Sequence, residues 1–213
     1  MKLPLFPLQS IFFPGETVPL HIFEPRYIQL INDCKDEAIT FGIPVYINGN
    51  LDYGVEVQLV EIVSSYEEGE MDVICVARQV FKIESFEPVL EGKLYSGGDV
   101  RLLEYDYEVA MGYKKIILGK IEVLYRLMQV AFPPIDFEVF TSFTLAHKMG
   151  LSFEQEYQLL QMPLEMARLG FLDNHLITTI ATLKEVERTR KAIALNGHFK
   201  NFDPLDFENL AAE

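Results

Sequence analysis

Histidines, cysteines and clustered acids are the side chains of this 213-residue sequence most able to run a reaction, and their spacing argues against each in turn. His21, His147, His175 and His198 never fall at i,i+4 on one helix with a carboxylate for company, so no metal centre is expected. Cys34 and Cys75 make no metal-ligand spacing; one falls in a predicted helix and one in a predicted strand, and both read as buried free thiols. No G-x-S-x-G, H-E-x-x-H or C-x-x-C occurs. The nearest string to a phosphate-cradling loop runs from Gly112 to Gly119-Lys120-Ile121. It has six intervening residues, an isoleucine where the Mg²⁺-binding hydroxyl belongs, and a helical pattern around it. Glu67, Glu68, Glu70 and Asp72 cluster in a polar turn, where a carboxyl pKa has little reason to move, and read as a solvated face. The expectation is no catalytic residue, no metal and no cofactor.

Residues suited to binding are easier to find. Phe13, Leu20, Phe23 and Arg26 crowd one proline-rich stretch and are the candidate peptide-binding side chains. Arg26 beside Glu24 makes either a clamp for a peptide carboxylate or, as the better reading, an ion pair fixing a helix start. His21, between Leu20 and Ile22, reads as a hydrogen-bonded strand histidine. Glu104, Asp106 and Glu108, interleaved with Tyr105 and Tyr107, mix charge and aromatic area as recognition surfaces do, a pattern an ordinary exposed strand shares.

Charge narrows the partners. Eighteen Lys and Arg against 32 Asp and Glu leave a formal net charge of −14. Such a surface repels phosphate backbones, so nucleic acid is not expected. The apolar stretch 116–132 is interrupted by Lys120, Glu122 and Arg126, which excludes it as a membrane span. The N-terminal stretch is broken by prolines and lacks a small-residue cleavage site, so no signal peptide is expected and a cytoplasmic location fits the two free thiols.

The elements that carry these residues change character near Tyr107. Up to that point the apolar period is mostly two. Leu3–Leu8 and Thr17–Phe23 read as strands around a Pro14-Gly15 turn, and Pro25 opens a helix to Lys35. Ala38–Ile47 is an apolar run closed by Asn48-Gly49. Gly54–Tyr66 and Asp72–Ile83 form a hairpin, with Glu61 off the alternating pattern, and Leu94–Tyr107 is a last strand entered from a bend at Gly92 and Gly97-Gly98. Several short strands and one early helix point to a small closed or half-closed barrel. Beyond Val109 the period is 3.6. One helix ends at Phe132-Pro133-Pro134, and a second is predicted over about 137–148. Ser152 begins a third through a capping box, and a long last helix runs from Pro163 to about Leu195. The stripe Leu169, Leu172, Leu176, Leu183, Val186, Ile193 thins after Val186, as though the second half projects or is covered by a partner. The tail 198–213 carries Phe199, Phe202, Leu205 and Phe207 without a rank among folding back, docking or staying loose.

The order of edge strand PLFPL, PG turn, PLHIFEPRY (Pro19–Tyr27) with its proline-started helix, hairpin from Gly54 into Ala77–Ile83, and Leu151–Leu172 resembles the Lon substrate-binding (N-terminal) domain family. In the hairpin, Ala77-Arg78-Gln79-Val80-Phe81 departs from the Gly-x-x-Arg-Phe common in that family. The resemblance implies an α+β fold: a PUA-like β pseudo-barrel with one helix over 1–108, then a helical bundle with a long last helix over 109–213. It implies a unit that captures unfolded or tagged polypeptide, while the family's proteases carry ATPase and Ser–Lys protease chemistry in later domains. A free-standing member lacking those domains is thus the expectation. The function expected is a non-catalytic polypeptide-binding module, an adaptor in quality control serving a protease or chaperone. The alternatives are a scaffold that self-associates or docks through the last helix, and peptidase activity carried over with the family name.

Overall fold

The computed structural model describes residues 1–199, so most of the tail lies outside it. The fold is α+β. Six strands, β1 (Lys2–Leu5), β2 (Thr17–Ile22), β3 (Phe41–Pro44), β4 (Tyr53–Ser65), β5 (Met71–Ile83) and β6 (Ser96–Leu102), form one sheet in the order β2-β5-β4-β3-β1-β6. A further antiparallel pairing of Phe81–Ile83 with Val100–Leu102 joins β5 to β6 and rolls the sheet into a partial ring. β2 stays outside that ring, antiparallel to the first half of β5, with Pro19 at its centre. Edge position suits a residue with no N–H to give.

Two compact units emerge. The first comprises 1–108 and 141–168; the second comprises 109–140 and the described residues from Leu169 onward. In the first unit α1 (Pro25–Glu37) follows β2. Pro25 sits in its first turn, after an extended Glu24, and Ala38 ends it in the left-handed region at φ 54°. Its buried residues Tyr27, Leu30, Ile31 and Cys34 lie at three- and four-residue spacing and pack with Val18, Ile22, Phe41, Val57, Val73 and Cys75. Each fully buried aliphatic side chain there contributes about 1.5–3 kcal/mol of transfer free energy. Both cysteines are free and buried, and burial pushes both thiols up to about 12.

The hairpin is longer and less regular than simple alternation. β4 pairs with β5 from Tyr53↔Lys82 to Ser65↔Met71, with register shifts at Leu59/Glu61 and Ile62/Ser64. Each shift passes two residues of β4 against one of β5, so Val60 and Val63 are bulge residues, and both are more than half exposed. The bulge at Val60 is why Glu61 falls off the pattern.

Several boundaries differ from the sequence reading. The last strand is Ser96–Leu102, and Gly97-Gly98 lies inside it rather than at a bend. No α-helix spans 137–148: the segment is made of turns and ends in a 3₁₀ turn, Ala146–Lys148. Hydroxyl and carboxylate side chains take the backbone there. Thr141 N–H donates to Thr144 Oγ1 (3.0 Å) and Glu138 N–H to Asp136 Oδ1 (3.0 Å), bonds that compete with a helix ladder. The long helix α4 (Glu165–Phe199) starts two residues beyond Pro163, because Leu164 first bridges to Asp106 and Glu165 N–H donates to the Asp106 carbonyl. The predicted capping box holds: Ser152 Oγ accepts from Gln155 N–H at the start of α3 (Phe153–Gln161).

In the second unit α2 (Met111–Met128) buries Ile117, Ile121, Leu124 and Tyr125. It stops at Gln129, in the left-handed region at φ 59°, before the diproline is reached. Leu169, Leu172 and Leu176 of α4 are buried, while Val186, Ile193 and Leu195 are exposed. No helix among the described residues is long and apolar enough to cross a membrane.

Candidate polypeptide-binding site

One open groove of the first unit follows from unequal strand lengths. β3 pairs with β4 only at Gly54–Val57, whereas β5 borders β4 over its whole length. Residues 58–65 of β4 therefore carry a ladder on one side alone, among the described residues. Where β3 would have continued, the chain instead turns through Ala38 into the end of α1. Between that helix end and the free stretch of β4 lies an open groove of about 520 Å³, lined by Cys34, Lys35, Ile39, Leu59, Glu61 and Ile62 among others. Ile39, Leu59 and Ile62 are partly buried against the core and supply an apolar floor. Cys34 has almost no exposed surface, and with its thiol held protonated by burial it is part of the wall rather than a nucleophile.

The four residues singled out from the sequence are not gathered in this groove. Phe23 and Arg26 flank the β2–α1 corner. Phe23 is 58% exposed and stacks on His21 at 5.9 Å, and His21 meets Tyr66 edge-on at 6.2 Å. Asp72 ties that corner together, its Oδ1 2.7 Å from His21 Nδ1 and its Oδ2 accepting from Tyr66 (2.7 Å), which holds the Asp72 carboxyl below its usual range. Arg26 Nη2 lies 2.7 Å from Glu24, and its guanidinium sits over the Tyr27 ring at 4.5 Å. Leu20 is half-buried, packed on the core. Phe13 requires a correction: it is fully buried, stacked on Phe143 at 4.9 Å and beside the His147 ring at 4.8 Å, and has no surface to offer a ligand.

That His147 ring is held between two carboxylates, Nε2 3.2 Å from Glu16 and Nδ1 2.9 Å from Glu156. The hydrogen bond that the ring donates to Glu16 is the largest cause raising its pKa to about 9, against the opposing effect of burial. A pKa raised on folding stabilises the native state fully below the ordinary histidine value of about 6.5, and that stability is lost as pH rises through about 9. The side chain is 36% exposed, so solvent screening reduces the effect to about 1 kcal/mol. Urea midpoints should fall between about pH 6 and about pH 10, and His147→Gln should flatten that slope while leaving the rest of the profile in place.

The buried charges of this unit are matched internally. Arg168 and Glu165, one turn apart at the start of α4, have 0% exposed side chains and meet at 2.7 Å. Glu165 accepts from Ser142 N–H (2.6 Å) and Ser142 Oγ (2.8 Å), while Arg168 also donates to the Met162 carbonyl (2.7 Å). Tyr105, Tyr107 and Phe143 lie around its guanidinium at 4.8, 5.1 and 4.7 Å from ring centroid to Cζ. Tyr105 and Tyr107 thus each turn a ring toward an internal ion pair, while Tyr107 stays 41% exposed. Sequence reading passed over Glu165 and Arg168, although a visible signal existed: both fall on the stripe continued by Leu169, Leu172 and Leu176. Among the described residues no group of three or more His, Cys, Asp or Glu side chains is placed to hold a metal ion.

The sequence model of the ATP-dependent protease La (LON) substrate-binding domain matches residues 2–177. This chain belongs to the Lon substrate-binding domain family. Its structure is similar to that of a Lon N-terminal domain protein from Xanthomonas campestris, at 27% identity and a TM-score of 0.63, over 81% of this chain and 96% of that one. It also shares the fold of the N-terminal domain of Lon protease from the Mycobacterium avium complex, at 15% identity and a TM-score of 0.61, over 83% and 98% of the two chains. No curated protein matches the sequence. The groove beside β4 lies within the span matched to the Lon substrate-binding family.

Proposed function

We propose that this chain is a non-catalytic polypeptide-binding module, acting as an adaptor that holds unfolded or tagged chains for a protease or chaperone. The observation that carries the reading is the free stretch of β4 bordered by an apolar-floored groove, in a chain of a family described as substrate-binding. Extended polypeptide is the ligand that supplies both main-chain partners and side chains to such a surface. Cys34 is a protonated wall residue and Cys75 a protonated core residue, Ser142 is locked between Glu165 and Arg168, and the 213 residues contain no phosphate-binding loop; each of these favours holding over cutting. The test uses fluorescein-labelled lactalbumin, reduced and aminoethylated so that its modified cysteines carry ammonium groups, as an unfolded probe. Anisotropy should saturate with a Kd of about 1–50 μM, with no release of peptide fragments and no phosphate from ATP. Absence of binding up to about 1 mM, or turnover that persists through repeated purification, overturns the reading.

A further inference from the structure

Among the described residues, the sheet of the first unit is open along β2 and along the second half of β4, and the two edges are treated differently. The edge along β2 carries Pro19 at its middle, which removes a donor and blunts any template for pairing. The edge along β4 reads Gln58-Leu-Val-Glu-Ile-Val-Ser-Ser65, with neither proline nor lysine to shield it. Its bulges at Val60 and Val63 twist it away from open-ended sheet growth yet leave it accessible to one short strand.

We infer that this edge binds its ligand by strand addition: an extended segment with alternating apolar and cationic residues pairs main chain to main chain with residues 58–65 of β4. This inference rests on the polypeptide-binding reading above and specifies the site, mode and chemistry of the ligand. Alternation follows from the period of a strand, which presents every second side chain to the floor of Ile39, Leu59 and Ile62. Cationic character follows from charge. Glu61 is exposed on the edge itself, and α1 directs the negative end of its dipole at the groove. Lys35 is the one basic residue among those lining the groove, on a chain of net charge −14. A second copy is disfavoured by the same feature, since edge-to-edge pairing of two β4 strands would bring two Glu61 carboxylates into one small ribbon.

Three labelled peptides of about ten residues separate the possibilities: alternating Lys and Val, alternating Glu and Val, and the Lys–Val peptide with N-methyl groups on every second residue. The Lys–Val peptide should bind the full chain with a Kd of about 10–100 μM, and the other two at least about tenfold more weakly. Amide hydrogen exchange should slow on binding within 58–65. Glu61→Lys, an exposed substitution, should weaken the Lys–Val peptide about fivefold and strengthen the Glu–Val peptide. Equal binding of the N-methylated peptide, or protection confined to residues outside 58–65, overturns strand addition; if the unfolded lactalbumin probe still binds, the polypeptide reading stands without it. Loss of both probes removes both, and concentration-dependent dimerisation abolished by Glu61→Lys assigns the edge to a second copy and overturns the inference.

Discussion

Arg168→Met lowers the free energy of unfolding by about 3–5 kcal/mol, because it strands the Glu165 carboxylate in the interior with its cation gone. Arg168 is fully buried and donates five hydrogen bonds, to Ser142 Oγ, twice to Glu165 Oε2, and to the carbonyls of Met162 and Asp106. Those partners come from three separate stretches of chain, so the guanidinium ties the segment after β6, the turns at 141–149 and the first turn of α4 into one body. Methionine keeps the length and apolar stem while deleting every donor. Two comparisons isolate the cause. Glu165→Gln combined with Arg168→Met should cost less than the sum of the single changes, because the orphaned charge is then absent. Ser142→Ala, which removes one hydroxyl from a charge still paired with arginine, should cost only about 1–2 kcal/mol. Denaturant midpoints for the four variants decide it; an Arg168→Met protein within about 1 kcal/mol of the parent removes this ion pair from the account of stability.

Gly98→Ala should destabilise by about 3 kcal/mol or more, for a reason of space alone. A Cβ at that position would lie 2.1 Å from the Ser85 carbonyl oxygen, a main-chain atom that no rotamer change moves aside. The crowding arises because residues 85–87 run tightly over β6. Glu87 and Gly97 exchange backbone bonds of 2.7 and 3.0 Å, and Ser85 Oγ donates to Asp99 at 2.9 Å. Gly119, inside α2, is the matched control, with nothing within 4 Å of an added Cβ. Gly119→Ala should stabilise by about 0.5–1 kcal/mol through helix propensity. Thermal unfolding of both variants gives opposite signs; a neutral Gly98→Ala shows that the 85–87 strap yields.

These two sites mark where the sequence was readable and where it was not. Gly97-Gly98 looks like a bend because glycine is the usual punctuation of one, and what places it inside a strand is a segment ten residues earlier that crosses overhead. Local pattern holds no trace of that crossing. Strands and helices governed by their own period were legible: the α1 residues Tyr27, Leu30, Ile31 and Cys34, the Ser152 capping box and both strands of the hairpin follow from spacing alone. The segment 137–148 has apolar residues at helical spacing, yet the side chains of Asp136, Thr144 and Glu165 claim the N–H groups of Glu138, Thr141 and Ser142. The groove was the least legible part. It depends on β3 beginning only at Phe41, opposite Val57, while β4 runs on to Ser65, a mismatch of lengths that appears only after pairing is known. Glu61 breaking the alternation was its one trace in the sequence, the signature of the bulge at Val60. Phe13 fails as a surface residue for a related reason, since its neighbours Phe143 and His147 arrive from some 130 positions away.

The pairing of β1 sets a timetable for making this protein. Lys2 meets Asp99 across an antiparallel ladder, and Leu5 meets Gly42 in a parallel one, so the opening strand must wait for about 97 more residues before its second neighbour exists. At ribosomal speeds of about 5–20 residues per second that is a delay of roughly 5–20 s, far longer than the microseconds a hairpin needs. The β4–β5 ribbon can therefore be born and twisted while the ring is still ajar, and the first strand becomes the last stave fitted.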